Sequence, residues 1–444
     1  MRFNTQVNVE SLLAAQTPGY ALSQALYRDR DIFDLDIERI FKRRWLLVDH
    51  TSRIPHRGDF FTFEIAGESI IIVRGENDHV AAFYNVCRHR GSRICLEHSG
   101  HSTRLICPYH SWTYGLDGRL ITARKMPQNF DKRNFSLRRC AAEVVEGLIF
   151  INIGETPPEQ FIPVCAAIAP FLQLHDLAGA KVAARESFQV AANWKLVVEN
   201  FLECYHCLAT HPEYCAVNSI VKLLGDGTDQ ATAQYLEEWE RWKKTLPPAH
   251  LAQAAVSSAP QFDTRNPFSI TQPEGEISSS PVFSALRAPI GNNYLSMSED
   301  GKPVAPLMGR FDRYDGGKTS VSVDYVGRVS AANDYAALFK FVPISPELTH
   351  FEIIWLVRED AEASKDYDIG RLKWLWHITT TQDKTLAENN QRGVNSRAYV
   401  PGPYSELEDA PKQFVRWYLD QLSDPGPDTH GLQATSSTSH GSPL

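Results

Sequence analysis

The first pattern along the chain is helical. Between residues 25 and 45, Ile32, Leu35, Ile40 and Phe41 recur among charged residues. Apolar side chains at this spacing form one face of an amphipathic helix. Residues 1–45 are therefore predicted to be a helical lead-in to the fold.

A strand pattern replaces the helical one from Asp59 onward. Apolar residues alternate on both sides of Ala66-Gly67-Glu68 in FFTFEIAGESIIIVRG, which predicts a β-hairpin. A further strand, HVAAFYNV, leads directly into Cys87, and short strands and turns continue to about residue 153. Residues 46–155 are predicted to form a β-domain.

Longer elements predict a second domain over residues 156–422. Helices are expected at about 193–210, 229–245 and 366–393, and strands at about 320–329, 338–344 and 350–358. The Pro-, Ser- and Gly-rich passage 246–282 is long for a connection and is interpreted as a lid or substrate-pocket segment. The low-complexity residues 423–444 are expected to be a disordered tail.

Composition narrows the class of function. Lys and Arg number 45 and Asp and Glu 53 among 444 residues, and a net charge of −8 argues against nucleic-acid binding. No apolar run is long enough for a membrane span, and the N-terminus has no secretion-signal pattern. We therefore expect a cytoplasmic protein with reduced thiols. There is no G-x-G-x-x-G or P-loop pattern, so NAD(P)H and flavin are expected only on a separate protein.

Two short Cys/His pairs lie in the predicted β-domain. Cys87-x-His89 and Cys107-x-x-His110 are separated by 17 residues, so two loops can close around one metal centre. Zinc is one reading, but zinc sites more often pair Cys with Cys and His with His. The mixed pairs resemble a Rieske 2Fe–2S centre, in which two Cys hold one iron and two His the other. Cys95, His98 and His101 lie between the pairs and are not expected to bind the metal.

A second candidate centre lies at His206 and His211. Pro212 disfavours helix at His211, so a helix is expected to end near Thr210, with His206 in its last turn. Two imidazoles and one carboxylate with open positions suit a non-haem Fe(II) that activates dioxygen. The pattern N-x-x-E-x-Y-H-x4-H, which favours this reading over two unrelated surface histidines, adds Asn200, Glu203 and Tyr205.

The third ligand is expected on the long C-terminal helix. One inward stripe of that helix is predicted to consist of Leu372, Leu375, Trp376, Thr379, Asp383, Leu386 and Asn390. Asp383 stands where an apolar residue is expected, and a buried carboxylate needs a cation. Asp366 and Asp368 are alternatives, but capping of the helix start explains both.

Two other patterns are interpreted as packing. Cys204 and Cys207 form C-x-x-C, but they are expected in mid-helix without a redox-fold context. Trp239 and Trp242 are expected on the buried face of an amphipathic helix.

Together the two centres resemble the catalytic alpha subunit of Rieske non-haem iron oxygenases over about residues 20–422. The resemblance implies an α+β fold, with an N-terminal Rieske β-domain and a helix-grip catalytic domain, in which an antiparallel sheet wraps around a long C-terminal helix. It implies a 2Fe–2S cluster on Cys87, His89, Cys107 and His110, and a mononuclear iron on His206, His211 and Asp383. It also implies a head-to-tail homotrimer and a separate reductase.

In this family a carboxylate bridges His110 of one chain to His206 of the next, and it is usually Asp. Here it is Glu203, as in oxygenases of carnitine, glycine betaine and proline betaine. The strings QDKTLAENNQRGVNSRAYVPGPYS and LMGR are most similar to glycine betaine monooxygenases and stachydrine demethylases. The resemblance implies oxidative N-demethylation of a small betaine with formaldehyde release, and Asn200 and Tyr205 are counted with Glu203 as catalytic candidates.

Two other functions stay open at this point. One is a Rieske oxygenase of aromatic acids that yields a ring diol or phenol. The other is a Rieske electron carrier without catalysis, which predicts no mononuclear iron. Substrate-binding residues stay unknown, because each aromatic residue on a candidate pocket element is more typical of core: Phe201, Tyr205, Phe283, Tyr294, Phe311 and Tyr325.

Overall fold

The computed structural model describes residues 8–155, 157, 161–218, 228–248, 250 and 283–424. Most of the predicted lid, 246–282, and nearly all of the predicted tail, 423–444, lie outside these residues. None of the described helices is both long enough and apolar enough to cross a membrane.

The lead-in is helical, as the amphipathic pattern predicts. Its helices are α1 (Val9–Ala14), α2 (Gln24–Arg28) and α3 (Arg30–Asp36), which runs on into a π-helix over Ile37–Phe41. Ile32, Ile40 and Phe41 are buried in the main core. Short 3₁₀ turns occur in the described chain at Thr51–Arg53, Glu76–Asp78, Lys132–Phe135 and Leu177–Gly179.

Two antiparallel sheets follow. Their strands are β1 (Leu46–His50), β2 (Asp59–Ile65), β3 (Glu68–Arg74), β4 (Val80–Tyr84), β5 (Ser99–His101), β6 (Leu105–Ile106), β7 (Thr113–Tyr114), β8 (Leu120–Thr122), β9 (Arg139–Val145) and β10 (Leu148–Asn152). The larger sheet has the order β1-β10-β9-β4-β3-β2-β5, and the smaller has β6-β7-β8. The predicted hairpin is β2–β3, with positive φ at both turn residues, Ala66 and Gly67. A two-residue turn of this kind matches the twist of the paired strands.

A third sheet, of six described strands, begins at residue 180. Its strands are β11 (Ala180–Val190), β12 (Phe283–Pro289), β13 (Gly317–Val323), β14 (Gly327–Ala331), β15 (Ala336–Ser345) and β16 (Leu348–Arg358). All described pairs are antiparallel, in the order β11-β16-β15-β14-β13-β12. The prediction of one strand over 320–329 is wrong. The chain turns at Asp324, where φ is 47°, and forms the β13–β14 hairpin.

The helices of this region pack against the sheet. They are α4 (Phe161–Leu174), α5 (Trp194–Leu202), α6 (Cys207–Thr210), α7 (Pro212–Val217), α8 (Asp229–Lys243), α9 (Ile369–Val394) and α10 (Asp409–Ser423). Helix α9 contacts β11, β16 and α5. This is the expected helix-grip arrangement, and it places the face of α9 that carries Asp383 against the sheet.

A buried ion pair joins the lead-in to helix α5. Lys195 Nζ lies 2.5 Å from Asp36 Oδ2, and both side chains are fully buried. Asp36 also accepts hydrogen bonds from Trp194 Nε1 at 2.9 Å and Tyr418 OH at 2.8 Å. The chain's start and its last described helix are therefore fixed to the same point of the second region.

Candidate active site

The two Cys/His pairs sit on loops with the same backbone turn. Gly91 N–H donates to Cys87 C=O, and Ser111 N–H donates to Cys107 C=O, each at 3.0 Å. The fifth residue of each turn, Gly91 or Ser111, has positive φ. Equivalent turns bring both pairs to one end of the β-domain.

The side chains of the two pairs meet at this end. Cys87 and Cys107 are buried and interact with each other, and Tyr114 OH lies 3.3 Å from Cys87 Sγ. The rings of His89 and His110 are 4.7 Å apart. Burial raises the pKa of the Cys87 thiol.

This donor set suits a 2Fe–2S cluster. Two thiols lie in the interior and two imidazoles lie toward the surface, where His110 is exposed. Nδ1 of His89 is buried and has no hydrogen-bond partner in the described structure. A buried ring nitrogen of this kind calls for a metal or a donor.

Cys95, His98 and His101, which lie between the two pairs in sequence, have environments that do not involve the pairs. His101 Nδ1 lies 2.8 Å from Asp59 Oδ1, and His98 is exposed on the surface. The carbonyl of Cys95 accepts a hydrogen bond from Asn85, and burial raises the pKa of its thiol to about 12.

The predicted helix over 193–210 is interrupted, which corrects the sequence prediction. Helix α5 ends at Leu202, and Glu203 is extended, with φ −125° and ψ 164°. His206 precedes the short helix α6, and His211 lies between α6 and α7. The reason is local: the Glu203 carboxylate accepts from the backbone N–H groups of Tyr205 and His206, which replaces helical hydrogen bonds.

This break brings His206, His211 and Asp383 together. His206 Nε2 lies 3.1 Å from His211 Nε2 and 3.3 Å from Asp383 Oδ1, and His211 Nε2 lies 2.8 Å from the same oxygen. Ligand atoms about 2.1 Å from one metal, at right angles, are about 3 Å apart. The three atoms therefore fit one face of an octahedral iron.

The Nδ1 atoms of both imidazoles also have hydrogen-bond partners. Glu203 Oε1 bonds to His206 Nδ1, and Gln382 Oε1 lies 2.7 Å from His211 Nδ1. Such partners fix the ring orientation and leave Nε2 for a metal. Burial alone would lower the pKa of His206, but Asp383 and Glu203 raise it to about 10. Burial alone would raise the pKa of Asp383, but both histidines hold it below its usual value.

The other predicted residues of this segment lie around the three-residue cluster. Asn200 Nδ2 lies 3.5 Å from His206 Nε2, whereas the side chain of Tyr205 is 55% exposed. Cys204 and Cys207 pack in a cluster with Trp239 and Trp242, although they lie at the break and not in mid-helix. The Cys207 thiol is within 4.8 Å of both imidazoles. Asp383 Oδ1 lies within 3.3 Å of both Nε2 atoms and is the candidate third ligand.

Helix α9 shows one error in the predicted stripe. Leu372, Leu375, Trp376 and Thr379 are buried, but Asn390 is exposed. Beyond Asp383 the buried positions are Ala387, Gln391 and Val394, which follow one another at steps of four and three residues and so continue one face of the helix. Asp368 caps the helix through Arg371 N, as predicted, whereas Asp366 accepts from Glu362 N in the preceding turn.

A cavity opens beside the three-residue cluster. It encloses about 570 Å³ of empty space, part of it open to solvent. Its aromatic lining, within the described residues, is Phe201, Tyr214, Phe339 and Trp376. Lys318, Ser320, Arg328 and Ser330 line it from the sheet. This size and mixture of groups are typical of small-molecule sites.

Sequence reasoning found little of this lining. Of the six aromatic candidates only Phe201 lies on the cavity. Phe311 packs on His175, and Tyr325 packs on Phe414. The alternation in GKTSVSV, with polar Lys318, Ser320 and Ser322 on one face, is the signal that was available.

Comparison with known proteins gives matches to both regions. Residues 44–140 match the Rieske [2Fe-2S] domain family. Residues 177–276 and 328–424 match the ring hydroxylating alpha subunit (catalytic domain) family.

Among curated proteins, the chain is 35% identical to the glycine betaine monooxygenase oxygenase subunit of Pseudomonas aeruginosa, over 93% of this chain and 91% of that one. It is 36% identical to the subunit of that name from Chromohalobacter salexigens, over 93% and 88%. Among solved structures, it matches a quaternary ammonium Rieske monooxygenase that oxidises carnitine with inter-subunit electron transfer. That match has a TM-score of 0.65 and 21% identity, over 94% of this chain and 98% of that one.

Proposed function

Because the chain belongs to the Rieske non-haem iron oxygenases, as a catalytic alpha subunit, we propose that it hydroxylates an N-methyl group of a small quaternary ammonium carboxylate. Glycine betaine and proline betaine are the candidate substrates. The enzyme is an oxidoreductase that uses a Rieske 2Fe–2S cluster and a mononuclear iron, and a separate reductase supplies its electrons.

The observation that carries the proposal is that His206, His211 and Asp383 lie together at the edge of the cavity. His206, His211 and Asp383 offer three ligand atoms on one side of a common centre, and the same residues line the cavity. An iron held by these three residues would keep positions open for dioxygen. Aromatic rings in the lining suit a quaternary ammonium group, which cannot donate hydrogen bonds.

We assign the ligands as follows. The cluster would be held by Cys87, His89, Cys107 and His110, and the iron by His206, His211 and Asp383. The bound iron, with electrons from the cluster, supplies activation of dioxygen for C–H hydroxylation. The protein's own contribution is to orient the N-methyl group, limit water in the cavity and fix the imidazoles through Glu203 and Gln382.

The overall reaction balances as a monooxygenation. Dioxygen, two electrons and two protons convert one N-methyl C–H to C–OH and release one water. The N-hydroxymethyl product then breaks its C–N bond, the electron pair stays on nitrogen, and formaldehyde and one proton leave. Formaldehyde is therefore the product that distinguishes this reaction from ring hydroxylation.

We further place Glu203 between subunits of a homotrimer. Its carboxylate contacts His206, and Tyr205, two residues further along, is exposed. The cluster-side His110 is also exposed, beside the exposed ring of Tyr109. Surfaces of this kind suit contact with a second copy, in which His110 of one chain reaches Glu203 of the next. A cytoplasmic location, which supplies iron, sulfide and electrons, fits this chemistry.

The test is reconstitution with a compatible reductase. Glycine betaine, proline betaine and carnitine are compared with benzoate, and formaldehyde is measured per dioxygen consumed. Formaldehyde in near-stoichiometric yield from a betaine is the expected result. Ring diol or phenol from benzoate, without formaldehyde from any betaine, would replace the proposal with the aromatic-acid reaction.

A further inference from the structure

One wall of the cavity is the polar face of the six-stranded sheet β11–β16. Ser322 pairs with Arg328, and Ser320 pairs with Ser330, across β13 and β14. Lys318 lies on the same face of β13 as Ser320, because side chains two apart point the same way. The opposite face packs its apolar residues on α4, and its buried cation, Arg287, is paired with Asp315. A buried cation on the inner face therefore needs a partner of its own.

Lys318 is buried, and no described residue pairs it with an opposite charge. Its side chain is 7% exposed, and Nζ donates a hydrogen bond to Asn218 Oδ1 at 2.7 Å. No carboxylate of the described residues lies within 4.0 Å of Nζ. A buried ammonium without an anion is costly, and such groups persist mostly where they bind something.

A second cation adds to this charge. Arg328 lines the same cavity, and its guanidinium carbon is 5.3 Å from the centre of the Phe201 ring. Burial and the charge of Arg328 together lower the pKa of Lys318 to about 7. A bound anion would stabilise the protonated ammonium and reverse this effect.

The carboxylates of the cavity are already engaged. Glu203 is held by His206 and by backbone N–H groups, and Asp383 by both histidines. On the facing helix, Thr379 Oγ1 is buried and has no partner among the described residues. The Thr379 hydroxyl, Lys318 and Arg328 thus line a cavity whose two described carboxylates both have partners of their own.

We propose that Lys318, supported by Arg328, is the receptor for the carboxylate of the substrate. This inference rests on the proposed function and adds the residue that distinguishes a betaine from a quaternary ammonium alcohol. The ammonium end of the substrate then lies among Tyr214, Phe339 and Trp376. The ring centres of Phe339 and Trp376 are 4.8 Å apart, and those of Tyr214 and Trp376 are 6.0 Å apart.

The test compares two ligands that share a trimethylammonium group. Glycine betaine carries a carboxylate, and choline carries a hydroxymethyl group in its place. Their Kd values are measured by calorimetry on the anaerobic, metal-loaded enzyme, so turnover is not needed. Wild type is expected to prefer glycine betaine.

Lys318→Met is expected to reduce glycine betaine affinity about 10- to 100-fold, since a hydrogen bond to a charged group is lost. The ratio of the choline Kd to the betaine Kd should then fall toward one, and Lys318→Arg should restore most of it. The matched control is Lys302→Met, at a lysine that is 76% exposed and outside the cavity. Should the methionine variant not fold, Lys318→Gln, which keeps a hydrogen bond to Asn218, serves the same comparison.

The outcomes separate this inference from the proposed function. An unchanged choline-to-betaine ratio in Lys318→Met, with formaldehyde still formed by wild type, overturns the inference alone. A wild type without preference for glycine betaine overturns it as well. If no betaine yields formaldehyde but Lys318→Met still loses betaine affinity, the proposed reaction fails and the carboxylate receptor stands.

Discussion

Gln382 Oε1 accepts a hydrogen bond from Nδ1 of His211 at 2.7 Å. The same amide donates through Nε2 to Glu213 Oε2 at 3.0 Å, which fixes its orientation. Because Gln382 precedes Asp383 on α9, one turn of helix supplies both a candidate iron ligand and the partner that orients another. The sequence pattern indicated Asp383 but gave no signal for Gln382.

Gln382→Leu is expected to weaken iron binding at the mononuclear site about 10- to 100-fold, because His211 loses the acceptor that holds its ring. Iron retained during titration with a chelator, with the cluster absorbance as internal reference, measures this. Thr381→Ala, at an exposed position of the same helix, is the control. Equal retention in both variants would argue against an orienting role for Gln382.

In enzyme reconstituted with excess iron so that both metal centres are loaded, Glu203→Ala is expected to stop electron transfer from the cluster to the iron, because the carboxylate that contacts His206 is removed. Single-turnover oxidation of the reduced cluster by dioxygen, with substrate bound, is the measurement. Glu237→Ala, at an exposed residue of α8, should keep the wild-type rate. A wild-type rate in Glu203→Ala would refute the bridge assignment.

Lys195→Met is expected to lower the free energy of unfolding by about 3–5 kcal/mol, because Asp36 is left as a buried charge without its partner. The double variant Asp36→Asn with Lys195→Met should recover most of the loss, and denaturant unfolding measures both. Lys42→Met, in the more exposed pair with Glu38, should cost less than about 1 kcal/mol. A double variant no more stable than Lys195→Met would contradict this account.

Glu199 gives a pH dependence of stability. Burial raises its pKa from 4.5 to about 7, although hydrogen bonds from Tyr404 and Tyr27 oppose the rise. The folded state then holds a proton that the unfolded state releases, so stability falls as the pH rises from about 4.5 to 7. Glu199→Gln should reduce the drop in Tm between pH 5 and pH 8 by about 2–4 °C. Glu97→Gln, at an exposed residue, should leave the drop as in wild type.

Much of the fold followed from local patterns. Alternation predicted the β2–β3 hairpin, and the 3.6-residue period predicted α8 and α9. Two predicted elements were wrong. The helix over 193–210 is interrupted because the Glu203 carboxylate accepts hydrogen bonds from backbone N–H groups. The strand over 320–329 is divided because the chain turns at Asp324, which has a positive φ. Neither is visible in apolar spacing.

The sequence by itself determined the two Cys/His pairs, the spacing of His206 and His211, and the choice of Asp383 as the polar residue on a buried stripe. These are properties of short segments, and local spacing encodes them. Tertiary structure alone decided that Gln382 orients His211, that Lys318 and Arg328 face the same cavity as Asp383, and that Phe201 is the one predicted aromatic on its described lining. These relationships join strands and helices more than fifty residues apart, so they depend on sheet register and helix packing, which no local pattern encodes.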